Sequence, residues 1–285
     1  MKRIIVTGDD FGLAIPVNEA ISRAHSEGIL TTASLMVGAD GARDAVARAR
    51  NLPSLRVGLH LVLVEGKPVL PPAEVPDLVN AQGEFSTRLV RAGFNYFFKP
   101  GIRRQLEAEI RAQFEAFSNT GLALDHANAH NHMHLHPTIL QLMLSVGGEY
   151  GLSAVRVPYE PPLSSWRATG RSLAGKVAEW MFLSPWLSLM KRRLRRARLR
   201  FNDFIFGMAD SGAMTAGVVL KFLAHLPEGV TEMYFHPATR RCPEIDRNMP
   251  EYRHEEEFKA LTDKSVLEAL EAAGALRIAF SDLGE

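Results

Sequence analysis

Among 285 residues there is a single cysteine, Cys242. An intramolecular disulfide and a thiolate metal cluster are both excluded, and this cysteine usage suits a reducing cytoplasm. Excess charge of one sign is also missing. Lys and Arg total 33 against 32 Asp and Glu, a formal net charge of +1, so overall electrostatics give no reason to expect a nucleic-acid partner. No apolar run reaches the roughly 20 residues that a membrane-spanning helix needs. The opening MKRIIVTGDD meets two aspartates after a very short apolar run, and is not expected to act as a signal peptide. A GxGxxG after the first strand is lacking too, which leaves a dinucleotide-binding sheet unsupported.

What is present is a composition that can build a large core: 46% hydrophobic and 23% charged residues, without the bias of disordered chains. Short β-branched runs alternate with longer amphipathic ones. Strands are expected at 2–8, 30–37, 55–63, 122–130, 153–158, 231–236 and 275–280. Helices are expected at 16–28, 41–52, 102–121, 137–151, 213–226 and 255–274. Such alternation predicts parallel strands joined by crossover helices, and the length suits one (β/α)-barrel domain over 1–285. Residues 64–100, rich in Pro and Gly, should form a long loop over one face; 159–200 read as an insertion.

The conspicuous polar residues fall at the strand ends. Asp9 and Asp10 close the first strand, His60 ends LRVGLH, His130 ends LALDHANAH and His236 ends TEMYFH. In a parallel barrel these C-terminal ends meet at one mouth. One carboxylate and two imidazoles there can hold a divalent cation and leave positions open, while a second carboxylate serves as general base. Adjacent aspartates on a regular strand point to opposite faces, so they should divide these roles. Taken singly each residue has a plainer reading: the Asp pair a turn, His60 a core histidine. His25, His225 and His254 read as solvated surface residues. The stretch NAHNHMHLHP (128–137) carries His130, His132, His134 and His136 at alternate positions. Only His130 sits at a strand end; His132 is expected near the site, and His134 and His136 to fix the loop and the start of the next helix.

TGDDFG (7–12), VNEAISRAHSEGILTTASLMV (17–37), VGLHLVL (57–63), GKPVLP (66–71), HANAHNHMHLHP (126–137) and YFHPA (234–238) follow one another in an order that resembles the YdjC-like carbohydrate deacetylases. The resemblance implies a TIM-like or distorted seven-stranded (β/α) barrel of the polysaccharide-deacetylase and glycoside-hydrolase type. It further implies metal-dependent removal of an acetyl group from an N-acetylated amino sugar. By position, Asp10, His60 and His130 match the family's metal ligands, Asp9 its general base and His236 its general acid. The cation would be Zn or Mg, with Co or Mn compatible with the same donors. Where the family pattern reads Asp-Ser-His-His-His, this chain reads Asn128-Ala129-His130-Asn131-His132, so a carboxylate is replaced by an amide. Asn128, His132 and Arg156 are expected to bind substrate or support the ligands. GLHLVLVEGKPVLPP, RRQLEAEIRAQFEAF, SGAMT (211–215) and GVTEMYFHPAT (229–239) are similar to the hopanoid-biosynthesis-associated branch. That branch implies a lipid-linked N-acetylglucosaminyl substrate. A soluble chitooligosaccharide substrate and a non-catalytic lipid-binding barrel stand as alternatives.

The insertion bears on that choice independently. It holds all three tryptophans, Trp166, Trp180 and Trp186, and its apolar run 177–190 leads into KRRLRRARLR (191–200), with seven cations and no acid. Aromatics beside a basic helix fit an interfacial segment on anionic headgroups. Trp180, Trp186, Arg192, Arg193, Arg195 and Arg196 are the expected lipid contacts, placing the protein in the cytoplasm or peripherally on the inner face of the cytoplasmic membrane. No motif interleaved with aromatics suggests nucleic acid.

Overall fold

The computed structural model describes residues 1–87, 100–170 and 172–284. Strand β1 (Lys2–Phe11) leads through α1 (Ile15–Glu27), β2 (Thr32–Leu35) and α2 (Ala42–Arg50) to β3 (Arg56–Leu61). The chain continues with α3 (Pro100–Ser118), β4 (Leu124–Ala129), a 3-10 turn (His130–Leu135) and α4 (Pro137–Glu149). The insertion forms α5 (Pro162–Thr169) and α6 (Leu173–Arg196). Then come β5 (Phe204–Phe206), α7 (Ala216–Ala224), β6 (Gly229–Phe235), α8 (Pro243–Asn248), α9 (His254–Leu261), α10 (Lys264–Ala272) and β7 (Leu276–Arg277).

All named strand pairings are parallel, in the order β4-β3-β2-β1-β6-β5 with β7 beside the start of β1. The longer strands are buried on both faces, as expected when helices cover a sheet outside and a core fills it inside. The expected strand 153–158 forms only bridges, Ala127 to Val155 and Ala154 to Arg200. It nevertheless closes the barrel between β4 and β5 through backbone bonds to Ala127 on one side and Arg200 on the other, and Asn202 supplies side-chain bonds at Val157 where the ladder lapses. Val157 N–H donates to Asn202 Oδ1 (2.7 Å) and Asn202 Nδ2 donates to Val157 O (2.9 Å). The barrel is thus seven-staved and distorted, within the sequence expectation.

Several boundaries differ from that expectation. The helix expected over 255–274 is two, α9 and α10, broken where Asp263 caps α10 by accepting from Ser265 N–H; local capping outcompetes continuation. β5 and α8 carry too few residues for a periodic signal. Residues 64–87 run as loop with one antiparallel bridge, Val79 to Phe85, and 88–99 of the expected loop lie outside the described residues. None of the described helices is long and apolar enough to cross a membrane.

Candidate active site

The mouth is built by a local break in β1. Its register with β2 shifts between Gly8 and Phe11, and Asp10 adopts φ 60°, a left-handed conformation uncommon outside glycine. The turn is held by Gly12 N–H donating to Asn18 Oδ1 (2.7 Å), Asn18 itself being tied by Nδ2 to Gly41 O and Asp44 Oδ2, both 2.9 Å. The break lets both aspartates enter the mouth and still diverge, through a bulge rather than through strand alternation.

Asp10 turns to the histidines. Its Oδ1 lies 3.3 Å from His60 Nε2 and 3.2 Å from His130 Nδ1, and the two nitrogens are 3.4 Å apart. Donor atoms of these three buried residues all lie within 4.8 Å of one another. Both Asp10 oxygens are buried without a well-aligned hydrogen bond, a costly state for a carboxylate unless a cation shares the space. The donor set therefore fits a divalent cation. Burial alone would lower the His130 pKa, but Asp10 and Glu65 raise it to about 10. The other His130 nitrogen, Nε2, lies 3.7 Å from Glu65 Oε2.

Asp9 turns to Arg156, which is 0% exposed. Arg156 donates from Nη1 to Asp9 Oδ2 (2.6 Å) and from Nη2 to Asp9 Oδ1 (2.9 Å), and holds Glu232 Oε1 by Nη2 (2.7 Å). Its guanidinium also lies over the Tyr234 ring at 4.9 Å. Burial alone would raise the Asp9 carboxyl; Arg156 outweighs it and holds the group well below the usual carboxylate range. In this position the buried Arg156 supports Asp9.

His236 lies just past β6, its ring edge-on to Tyr234 and Tyr252 with centroids at 5.6 and 5.2 Å. Its backbone is clamped: N–H donates to Glu257 Oε2 (2.6 Å) and the carbonyl faces His254 Nδ1 (2.6 Å). Its ring Nδ1 has no hydrogen-bond partner, and burial lowers its pKa to about 4. His236 is therefore a neutral imidazole at pH 7. Asn128 stands between the two halves of the site, its amide 2.6 Å from His60 Nδ1 and 3.5 Å from Asp9 Oδ1.

His132, at φ 52°, contacts Tyr234 Oη through Nε2 (3.2 Å); it stays beside the site. His134 meets Arg156 O through Nε2 (3.1 Å), a loop-fixing contact. His254 is buried under His236 and His25 is half-buried between Leu30 O and Ser54 Oγ, both at 2.8 Å. Neither is the solvated residue expected, because each found a ring-nitrogen partner that only tertiary folding supplies. Sequence reasoning missed Glu65, Glu232, Glu257 and Tyr234. An acid inside the apolar strand TEMYF was a readable signal for Glu232; Glu257 lies in a run of three glutamates that looks like a solvated helix face.

A cleft of about 350 Å³ leads from His130 and Glu65. Leu13, Met36, Val62, Val69, Phe85 and Met249 form apolar walls, and charged side chains, among them Lys67 and Arg247, line it as well.

Fold and site together define a parallel-stranded (β/α) barrel with a buried Asp-His-His set at the C-terminal ends of its strands. A profile of the YdjC-like protein family matches residues 3–272, and the chain belongs to that family. It is similar to the carbohydrate deacetylase of Geobacillus stearothermophilus, 29% identical over 283 residues, covering 98% of this chain and 96% of that one. The carbohydrate deacetylase of Thermoanaerobacter pseudethanolicus is 27% identical over 269 residues, 94% of each chain. With that of Brevibacillus brevis identity is 40% over 160 residues, 56% of this chain, and the match spans 59% of that protein's length. A crystal structure from Enterococcus faecalis V583, provisionally named a cellobiose-phosphate cleavage protein, superposes with TM-score 0.76 at 26% identity, covering 100% of this chain and 99% of that one.

Proposed function

We propose that this chain is a metal-dependent hydrolase that removes the N-acetyl group from an N-acetylated amino sugar carried on a lipid, a hopanoid head group in particular. The observation that carries the deacetylase reading is the Asp10 carboxylate, buried without aligned donors between His60 Nε2 and His130 Nδ1. A divalent cation held by Asp10, His60 and His130 would supply Lewis-acid polarisation of the acetamide carbonyl and a lowered pKa for attacking water. Asp9, kept ionised by Arg156, receives the proton of that water as it attacks the carbonyl carbon. The C–N bond then breaks, and the amine leaves with a proton from His236. Because His236 rests neutral, it must take up a proton before it can give one, and Asp9 is the group that has just gained one. The products are the free amino sugar and acetate.

Two observations support the lipid-linked substrate. The cleft at His130 has an apolar wall of Leu13, Met36, Val62, Val69, Phe85 and Met249 among its charged lining residues, and that wall offers contact to an apolar aglycone. The outward side of α6 leaves Met181, Phe182 (75% exposed), Trp180 and Trp186 (42%) in solvent, followed within three turns by exposed Arg192, Arg195 and Arg196. Its other side is anchored by buried Leu187, Met190 and Leu194. That arrangement fits peripheral docking on an anionic bilayer from the cytoplasmic side. Arg193 departs from the expected set, since it is half-buried and donates to Pro137 O (3.0 Å).

The test is acetate release by the metal-loaded protein from an N-acetylglucosaminyl lipid and from N-acetylchitobiose. Turnover of the lipid in preference to the disaccharide supports the full reading. Turnover of the disaccharide alone leaves a deacetylase of soluble sugars, and none of either sinks the activity. Asp9→Asn should abolish release while metal content stays normal.

A further inference from the structure

The amide of Asn128 can face its neighbours in either of two orientations, and they dictate opposite tautomers of His60. With Oδ1 toward His60 Nδ1 (2.6 Å), the imidazole must donate from Nδ1, which leaves Nε2 with a free lone pair. Asn128 Nδ2 then donates to Ser34 Oγ (2.9 Å), but the same amide hydrogens face the Arg156 guanidinium, donor against donor. With oxygen and nitrogen exchanged, Nδ2 donates to His60 Nδ1 (2.6 Å). Oδ1 then accepts from Arg156 Nη1 and Nη2 (3.0 and 3.1 Å) and from Ser34 Oγ (2.9 Å). His60 now carries its hydrogen on Nε2, which lies 3.3 Å from Asp10 Oδ1 and can donate to it. Without a cation, the exchanged orientation gives Arg156 and Ser34 an acceptor and His60 Nδ1 a donor, at the loss of the long contact from Nδ2 to Asp9 Oδ1. A cation needs the other one, because a protonated Nε2 cannot be a ligand.

We propose that Asn128 is a positioning residue that switches the tautomer of His60. In the metal-free protein its amide oxygen faces Arg156 and His60 is protonated on Nε2. Metal binding turns the amide so that the oxygen faces His60 Nδ1, and the amide then bears against the guanidinium that holds Asp9. Metal uptake is thereby opposed by a donor–donor contact that a carboxylate at this position would not have. An ionised aspartate side chain has only acceptors, and in place of Asn128 it would receive hydrogens from His60 Nδ1 and from Arg156 together. The proposal rests on the metal centre of the preceding section and goes beyond it in assigning what sets its affinity.

Two measurements test it without reference to turnover. The ¹⁵N resonances of the His60 ring, assigned by their loss in His60→Gln, report the tautomer of the folded wild type before and after zinc addition. Nε2 protonation without metal and Nδ1 protonation with zinc are expected. Zinc affinity of wild type and Asn128→Asp, by competition with a chromophoric chelator, should differ by about tenfold or more in favour of the variant, the scale on which ligand-supporting groups act. Nδ1 protonation in the metal-free wild type overturns the switch, and so does a folded Asn128→Asp protein that binds zinc no more tightly. The wild-type tautomer decides the matter if the variant does not fold. A folded wild type that takes up no zinc sinks the metal centre itself, an outcome distinct from normal uptake with the wrong tautomer.

Discussion

Replacing Arg156 with Met probes how the barrel keeps two acids inside it. Arg156 joins Asp9 and Glu232, at 2.6 and 2.7 Å, and all three side chains are buried. The substitution keeps the apolar volume of the side chain but leaves Asp9 without its guanidinium and Glu232 with Thr7 as its remaining donor at 2.6 Å. Breaking a buried pair by removing one partner costs about 3–5 kcal/mol, a large share of the roughly 5–15 kcal/mol typical of a folded domain. The pH dependence gives a sharper sign. In the wild type the Asp9 pKa is depressed, so its contribution is present above the unfolded carboxylate pKa and lost as pH falls toward the folded value. In Arg156→Met burial, the largest influence, raises the pKa against the weaker pull of His60 and His236. The folded state then binds more protons than the unfolded one, and stability falls as pH rises, by up to about 1.4 kcal/mol per unit per carboxylate. Urea unfolding of metal-free protein at pH 5 and pH 7 measures both effects. The reasoning is refuted if the variant lies within about 1 kcal/mol of wild type at pH 7, or if its stability does not decline between the two pH values.

Other consequences are equally direct. Because His130 in the metal-free protein is protonated up to about pH 10, a cation must displace that proton. Its apparent affinity should rise about tenfold per unit from pH 7 to 9, with proton release visible as a buffer-dependent heat in calorimetry; affinity independent of pH would contradict the site. Gly58 lies against His126, where an added Cβ would stand 2.4 Å from two ring atoms and 2.6 Å from the backbone oxygen. Gly58→Ala should therefore cost about 1–3 kcal/mol by overpacking between β3 and β4, read as a lower urea midpoint, and an unchanged midpoint would refute the close fit. Changing Arg192, Arg195 and Arg196 together to Ala should abolish flotation with anionic vesicles while leaving the melting temperature unchanged, since all three are solvent-exposed. Equal flotation would remove the docking surface from the proposal.

Much of the fold was legible because it is periodic. The apolar runs that became β1, β2, β3, β4 and β6, and most of the helices between them, are local patterns needing no partner to be recognised. Asp9, Asp10, His60, His130 and His236 could be placed at strand ends for the same reason. The elements that escaped are those with little periodicity of their own. Segment 153–158 closes the barrel through isolated bridges completed by Asn202, and the break at Asp263 depends on a side-chain cap. The loop carrying Glu65 gives no sign in sequence that its carboxylate will approach His130.

The sequence by itself determined that acidic and imidazole groups would gather at one mouth. Parallel strands joined by crossover helices put every strand's C-terminal end on the same side, whatever the side chains there do. Tertiary structure alone decided their partners. Arg156 meets Asp9 across 147 residues, His254 is buried beneath His236, and a left-handed Asp10 turns its carboxylate to two histidines. Those pairings follow from which groups lose water together and must find one another's donors and acceptors, a condition set only once the chain has closed on itself.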